Sequence, residues 1–336
     1  MRLSEIGEFG LINNLKDLCK IKKRDLIAGI GDDAAVVKSR SKTFLLASDM
    51  LLEGVHFNLS FTTFYQLGYK TLAVNVSDIF AMGGKPKYFL LNLGVPQTCT
   101  LQDIKEIYRG LNAIAKKFGI AIVGGDTCAS KKGLVLSGTL MGETGNAIMR
   151  KGAVPGESIF VTGPLGDSAM GLELLMKMRT KKSEIGTSVP ASHLKLIKRH
   201  LMPEPAPLKR TAGVTSMIDI SDGLLIDLSH ICNESKVGAV IYKEMVPLSK
   251  ELIDAAKKLR KDPLEYALKG GEDYLLLFTS PAKIRKDAVK IGDVISMGRY
   301  LVDSEGRRER FKAEGYEHLK TTRQFTAILK DYGFQR

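Results

Sequence analysis

Ala121–Asp126 reads AIVGGD and Met217–Asp222 reads MIDISD. Each is a run of apolar residues that ends in a small residue followed by an acid. Such a run is expected to be a strand that delivers a carboxylate to its end, where glycine lets a ligand approach the backbone and serine adds a hydroxyl. The arrangement recurs in GIGDD (Gly29–Asp33), LLASD (Leu45–Asp49) and KGGED (Lys269–Asp273), and AVNVSD (Ala73–Asp78) carries it inside a helical pattern. Asp and Gly are ordinary turn residues, so one copy means little. Copies spread over both halves of the chain point to a shared acidic site. Two carboxylates about 4 Å apart repel by about 4 kcal/mol at an effective dielectric of about 20. A cluster of them must protonate or bind cations. Oxygen donors without Cys or His suit Mg²⁺, commonly shared with substrate phosphates. The chemistry expected is metal-assisted transfer on a phosphorylated substrate.

Around these motifs, short apolar runs alternate with helical patterns. Strands are expected at Thr43–Ala47, Tyr88–Val95, Ile120–Val123 and Leu134–Gly142, and helices at Phe64–Met82 and Leu101–Phe118. Thr100 reads as an N-cap with Asp103 three residues on, and Gly83-Gly84 as a helix stop. The glycine-rich stretch Gly145–Gly156 divides the chain into expected domains 1–148 and 149–336. The second half has strand patterns at Ser158–Thr162, Met217–Ile220, Val237–Tyr242 and Tyr274–Thr279. Its helical patterns are Ser168–Met178, Ala191–Leu201, Leu224–Asn233, Ser249–Arg260 and Pro263–Leu268, with a polar loop at Lys181–Pro190. Both halves read as α/β with mixed, α+β-like sheets.

Composition narrows the class. The chain has 336 residues, 44% hydrophobic and 26% charged, as globular proteins do. No apolar run approaches a membrane span, and Glu5 and Glu8 stand where a signal peptide would be apolar. Cys19, Cys99, Cys128 and Cys232 form no C-x-x-C pair, which suits reduced thiols and a cytoplasmic protein. The net charge is +13, densest at Lys20–Arg24 and Arg307–Lys312. These segments lack interleaved aromatics, so the charge reads as a basic surface that attracts anionic metabolites and not as a nucleic-acid site. A P-loop and the protein-kinase motifs are absent from the sequence. Gly163–Gly171 (GPLGDSAMG) opens a helix, and its free N–H groups are candidates for an anion.

Taken in order, GIGDDAAVV, SDMLLEGVHF, AVNVSDIFAMGG, GGDT, IDISDGL-x-x-DL and GGEDY resemble the thiamine-monophosphate kinase family. That family belongs with aminoimidazole-ribonucleotide synthetase and selenophosphate synthetase. The resemblance runs from about Gly7 to Leu319. It implies ATP-dependent phosphorylation of thiamine monophosphate to thiamine diphosphate, with several Mg²⁺ ions, direct γ-phosphoryl transfer and no catalytic base. It also implies a homodimer joined through the N-terminal domains, and active sites in clefts between domains.

Carried over residue by residue, the resemblance implies metal ligands at Asp33, Ser48, Asp49, Asp78, Asp126, Asp219 and Asp222. A hydroxyl residue the family can show before Ser48 is here Ala47, which offers only its carbonyl. ATP contacts are implied at Tyr108, Gly125, Asp126, Arg150 and Ser221, and substrate contacts at His56, Glu272 and Tyr316. An aromatic face at Tyr316 suits a cationic thiazolium. Selenophosphate synthetase would need a reactive Cys in a glycine-rich N-terminal segment, and the hydrogenase-maturation relative a C-terminal Cys. Cys19 lies among charged residues and the chain ends YGFQR. GVHF with GGEDY favours the thiamine enzyme over aminoimidazole-ribonucleotide synthetase.

Overall fold

A computed structural model of the chain describes residues 25–28, 32–39, 42–178 and 190–318. The glycines of GIGDD, the basic segment 20–24, Cys19 and the loop at 181–189 lie outside the described residues. Strands β1 (Leu26–Ala28), β2 (Ala35–Ser39), β3 (Lys42–Leu52), β4 (Lys85–Pro96), β5 (Ala121–Ser130) and β6 (Val135–Thr144) form one sheet, in the order β1-β2-β3-β6-β4-β5. Only β4 and β5 pair in parallel in this sheet.

Helices α1 (Phe64–Ala81) and α2 (Leu101–Phe118) accompany that sheet. Both begin with a capping box, Thr63 with Gln66 and Thr100 with Asp103, which satisfies orphan N–H groups at each start. Gly119, left-handed at φ 67°, ends α2. The two helices meet backbone to backbone. A Cβ on Gly68 would lie 1.9 Å from the Ile107 carbonyl oxygen, and one on Gly110 1.9 Å from that of Tyr65. α1 is buried on nearly every side, whereas α2 buries one stripe through Ile107, Leu111 and Ile114.

The second sheet comprises β7 (Ser158–Val161), β8 (Ser216–Asp219), β9 (Gly238–Tyr242), β10 (Leu276–Ser280), β11 (Val289–Ile295), β12 (Arg299–Val302) and β13 (Arg308–Arg310). Its order is β13-β12-β9-β11-β7-β10-β8. Helices α3 (Asp167–Met178), α4 (Ala191–Leu201), α5 (Leu224–Ser235), α6 (Lys250–Leu259) and α7 (Pro263–Lys269) belong to this half. Strand alternation splits its buried residues between two cores. Phe160, Met217, Leu276 and Phe278 point toward α1 and join the core of the first sheet. Ile159, Val161, Ile218 and Leu277 point the other way, onto Leu224, Leu228 and Ala267. Apolar packing therefore runs without a break from one sheet through α1 to the other, and α1 is the common wall of the two halves.

The structure corrects one expectation about the acids. Asp49 and Asp126 are not at strand ends. β3 pairs with β6 continuously from Thr43↔Thr144 to Leu52↔Val135, and β5 pairs with β4 from Ala121 to Ser130. Ladder hydrogen bonds on through the polar residues carry both strands past their acids. Tyr274 is excluded from β10 by a positive φ of 50°. Among the described residues, no helix is long and apolar enough to cross a membrane.

Candidate active site

α1 organises the site through two stripes of side chains. Thr71, Asn75 and Asp78, spaced by four and three residues, lie along one stripe. Asn75 donates to the Thr71 carbonyl at 2.9 Å and accepts from the Asp49 main-chain N–H at 3.3 Å. Opposite Asp49 on β6 stands Gly138, where a Cβ would come within 2.7 Å of Asn75 Nδ2. That glycine keeps the space through which α1 reaches β3. Lys70 and Ser77, seven residues apart, form the second stripe and reach across to the other half. Ser77 Oγ donates to Asp219 Oδ2 at 2.5 Å, and Lys70 Nζ meets Glu272 at 2.9 Å.

Carboxylate oxygens of Asp33, Asp78 and Asp219 all lie within 4.8 Å of one another. Asp49 joins them through a side-chain hydrogen bond with Asp78. Burial raises all of these carboxyls, and neighbouring acids add to it at Asp49, Asp78 and Asp219. Asp49 is pushed up to about 6 and Asp219 to about 8, Asp78 goes well above its ordinary value, and Asp33 is raised despite Arg150. Asp33 Oδ2 is buried with no hydrogen-bond partner. A buried carboxylate oxygen left unpaired among other carboxylates fits a hard divalent cation, and the oxygen-only donor set fits Mg²⁺.

Arg150 is the cation at the rim of this cluster. Its Nη2 donates to Asp33 Oδ1 at 2.5 Å, and its main-chain N–H lies 3.3 Å from Asp32. Asp32 rises to about 7, mainly through burial and then the Asp33 charge. In this arrangement the Arg150 guanidinium is engaged with the acids.

The β8 exit and the 270–274 loop are zipped together. Glu272 N–H donates to the Ser221 carbonyl at 2.7 Å, and Tyr274 N–H to that of Ile220 at 2.8 Å. A Cβ on Gly271 would come 2.4 Å from the Ser221 carbonyl oxygen, so glycine is required there. Asp227 accepts from the N–H groups of Asp222 and Gly223 at 3.2 and 3.0 Å and fixes the turn that carries Asp222. The Tyr316 N–H donates to the Asp222 carbonyl at 2.9 Å.

This brings the three expected substrate contacts into one neighbourhood. The Leu52 N–H donates to His56 Nδ1 at 3.1 Å, so His56 carries its proton on Nε2 when neutral. Nε2 lies 3.2 Å from His318 Nε2, and His318 Nδ1 lies 3.1 Å from the Tyr316 hydroxyl. Burial, then His318, lowers His56 to about 4, with Glu272 and Lys70 acting on it from close by.

Other expected residues stand elsewhere. Ser48 follows strand alternation and points to the face opposite Asp49, where its hydroxyl donates to the Gly138 carbonyl at 2.9 Å. Asp126 is exposed on the edge strand β5, its N–H bonded to Asn92 Oδ1, and is not among the acids that converge. Gly125 beside it has φ 149°, and a Cβ would come 1.7 Å from the Leu91 carbonyl oxygen. Tyr108 is half-buried on α2 against the core of the first sheet. In Gly163–Gly171 two N–H groups are already engaged inside the protein. The Asp273 carboxylate takes those of Gly166 and Ser168 at 2.6 and 3.2 Å and caps α3. The acid of the fifth motif is thus spent inside the protein.

Lys70, Asn75, His200 and Asp227 were not singled out from the sequence. The i, i+7 spacing of Lys70 with Ser77, and Lys70 as the one basic residue of Phe64–Ala81, was the available signal.

Comparison with known proteins gives an independent reading of the same residues. A family model described as AIR synthase related protein, N-terminal domain, matches residues 31–144, and its C-terminal counterpart matches 154–304. A thiamine-monophosphate kinase from Aquifex aeolicus (strain VF5) is 38% identical, covering 95% of this chain and 100% of the relative. One from Bacillus subtilis (strain 168) is 37% identical over 94% of this chain and 100% of its own length. A solved structure described as AaThiL complexed with AMPPCP and TMP superposes with a TM-score of 0.84 at 37% identity, covering 95% of this chain and 99% of the other. The hydrogenase maturation protein HypE in complex with ATP, 18% identical with a TM-score of 0.63 over 95% of this chain and 99% of its own, shares the fold. Similarity of this strength over essentially whole lengths shows that the chain belongs to the thiamine-monophosphate kinase family.

Proposed function

We propose that the protein transfers the γ-phosphoryl group of ATP to the phosphate of thiamine monophosphate, forming thiamine diphosphate. The observation that carries this reading is the convergence of Asp33, Asp49 and Asp78 with Asp219, from opposite sides of α1, beside a second cluster of His56, Glu272 and Tyr316. The first cluster is suited to phosphates held through cations. The second offers an aromatic ring and an ionised carboxylate, which suit a cationic heterocycle. The AMPPCP and TMP of the related complex match these two chemistries.

Mg²⁺ would be held by Asp33, Asp49, Asp78 and Asp219; ligation by Asp222, Asp126 and Ser48 is what the family resemblance adds, and Asp126 stands outside the cluster in this arrangement. When bound it supplies neutralisation of the charge shared between the two phosphates. Arg150, poised on Asp33, adds a bidentate donor for an ATP phosphate, and Ser221 and Gly125-Asp126 line the approach. The acceptor oxygen of a phosphate monoester is already ionised near neutral pH, so no side chain need remove a proton. The chain's own work is positioning and charge compensation.

The reading also divides the chain at 148/149 and makes it a cytoplasmic homodimer. The support for a dimer is the outer face of the first sheet, where Leu46, Met50, Tyr88, Leu90 and Val123 are all exposed. Cys99, Cys128 and Cys232 are unpaired thiols, as a reducing compartment would leave them.

A coupled assay with purified protein, ATP and Mg²⁺ tests the activity. Thiamine diphosphate is expected from thiamine monophosphate and none from unphosphorylated thiamine. ATP-binding protein that makes no product would redirect the reading to another phosphorylated acceptor.

A further inference from the structure

Glu272 is held in an unusual way. It sits at φ 62°, a left-handed conformation that costs a non-glycine residue energy and persists only where the surroundings impose it. Its side chain is 25% exposed, yet both oxygens are engaged. Lys70 Nζ lies 2.9 Å from Oε1 and 3.0 Å from Oε2. His200 Nδ1 lies 3.0 Å from Oε2 and 3.2 Å from Ser168 Oγ. Lys70 is itself only 2% exposed, and His200 4%. Two elements therefore aim at one carboxylate, Lys70 from α1 and His200 from α4, and Ser168 at the start of α3 meets the same His200 nitrogen.

A buried lysine is costly to desolvate, and a purely structural contact at this place could be apolar. Here the buried Lys70 ammonium of α1 is spent on a carboxylate that stays partly exposed and acts on His56 from close by. The arrangement is more than a closed ion pair, because the carboxylate retains an open side. Two directional donors and one fixed backbone leave that side a single orientation.

We infer that Lys70 and His200 are positioning residues, which hold the Glu272 carboxylate charged and oriented toward the cleft that takes the thiamine moiety of the substrate. The inference rests on the kinase reading above. Burial alone would raise the Glu272 carboxyl, but Lys70 and His200 outweigh it and keep it well below the usual carboxylate range. Burial, then Lys70, lowers His200, so it serves as a neutral N–H donor. Because Lys70 and Ser77 share one stripe of α1, the same helix face sets both Glu272 and the acid-cluster residue Asp219. The two halves of the substrate would be located from one rigid element.

The test is a mutant cycle on the full-length enzyme, with steady-state kinetics for each substrate. Lys70→Met is expected to raise KM for thiamine monophosphate about 10- to 100-fold, with kcat within about threefold and KM for ATP unmoved. His200→Asn, which loses one donor, is expected to raise the same KM about three- to tenfold. Lys70→Met leaves a buried carboxylate unpaired and can fail to fold, so Lys70→Met/Glu272→Gln provides a neutral pair of similar shape. Its KM is expected to equal that of Glu272→Gln alone, since Lys70 acts only through Glu272. A thermal midpoint that falls in Lys70→Met while KM for thiamine monophosphate stays put would make the ion pair structural and overturn the inference. So would a Lys70→Met effect that persists in full on the Glu272→Gln background. Wild-type enzyme that forms no thiamine diphosphate removes the kinase reading and this inference with it. Wild-type activity with unmoved KM in the folded variants removes the inference alone.

Discussion

Carboxylates gathered along α1 are handled in two opposite ways, one for a cluster of four acids and one for Glu272 alone. Asp33, Asp49, Asp78 and Asp219 face one another, and among the described residues Arg150 is the one cation bonded to them. Burial raises them all, with repulsion from neighbouring acids added at Asp49, Asp78 and Asp219. Glu272 has two cationic or donor partners to itself, and burial is outweighed. The number of carboxylates alone does not define a metal site. What separates the groups is whether the chain supplies the counter-charge. Where it does, the acid is ready at neutral pH as a fixed acceptor. Where it does not, the cluster is incomplete by the chain's own residues, its carboxyls hold their protons more tightly than free ones, and an outside cation is the missing partner.

The sharpest way to break this comparison is metal removal. Chelation with EDTA is expected to abolish product formation completely and excess Mg²⁺ to restore it, while thiamine monophosphate binding, followed by calorimetry, survives in part because Glu272 brings its own cations. Loss of both together would mean that the clusters are one site. Next comes Asp78→Asn, which removes the most acid-crowded carboxylate. It is expected to lower kcat by about 10²- to 10³-fold. The metal-free variant should be at least as stable as the wild type, since a source of repulsion is gone. A variant that unfolds in EDTA would show that Asp78 is structural.

The third prediction concerns pH. The folded carboxyls of Asp49, Asp32 and Asp219 titrate near 6, 7 and 8, above the ordinary value of 3.8 that the unfolded chain shows. The folded state therefore retains protons that the unfolded state releases. The stability this contributes is fully present below about pH 4 and is lost as pH rises toward about 8, at about 1.4 kcal/mol per unit and group at most. In EDTA the thermal midpoint is expected to fall between pH 5 and 8.5, by about 5 °C or more. Saturating Mg²⁺ should flatten the profile, because it replaces the protons. A flat profile in EDTA would contradict the raised carboxyls. The smallest effect is expected from Ser77→Ala, which deletes the hydroxyl bonded to Asp219 and should cost about 1 kcal/mol of stability with a kcat change of only a few-fold. A loss as large as that of Asp78→Asn would put Ser77 itself among the ligands.

Local patterns decided much of this protein. The cap at Thr100, the stop at Gly83-Gly84 and the two helices they bound were legible from residue type and spacing, because caps and stops are satisfied within a few residues. Ala191–Leu201 was legible from its apolar spacing, and α7 from Pro263 at its start. The recurrence of acids after small residues marked the cluster, since that chemistry depends on residue types more than on exact placement. The order of motifs was enough to indicate the family.

Tertiary structure decided the roles within that set. LLASD and AIVGGD look alike in sequence, yet Asp49 enters the cluster and Asp126 stays on an exposed edge, because strand pairing and pleat choose the face. Asp273 looked like a further ligand and caps α3, because a helix start with unsatisfied N–H groups was brought beside it. The strands β11 to β13 were not assigned, since their pairing partners are distant and their own patterns short. Lys70 read as one charge in a helix. Only the packing of α1 between both halves gave it Glu272, two hundred residues away in the chain. Residue type sets what a side chain can bind locally, and long-range packing selects which partner is within a few ångströms of it.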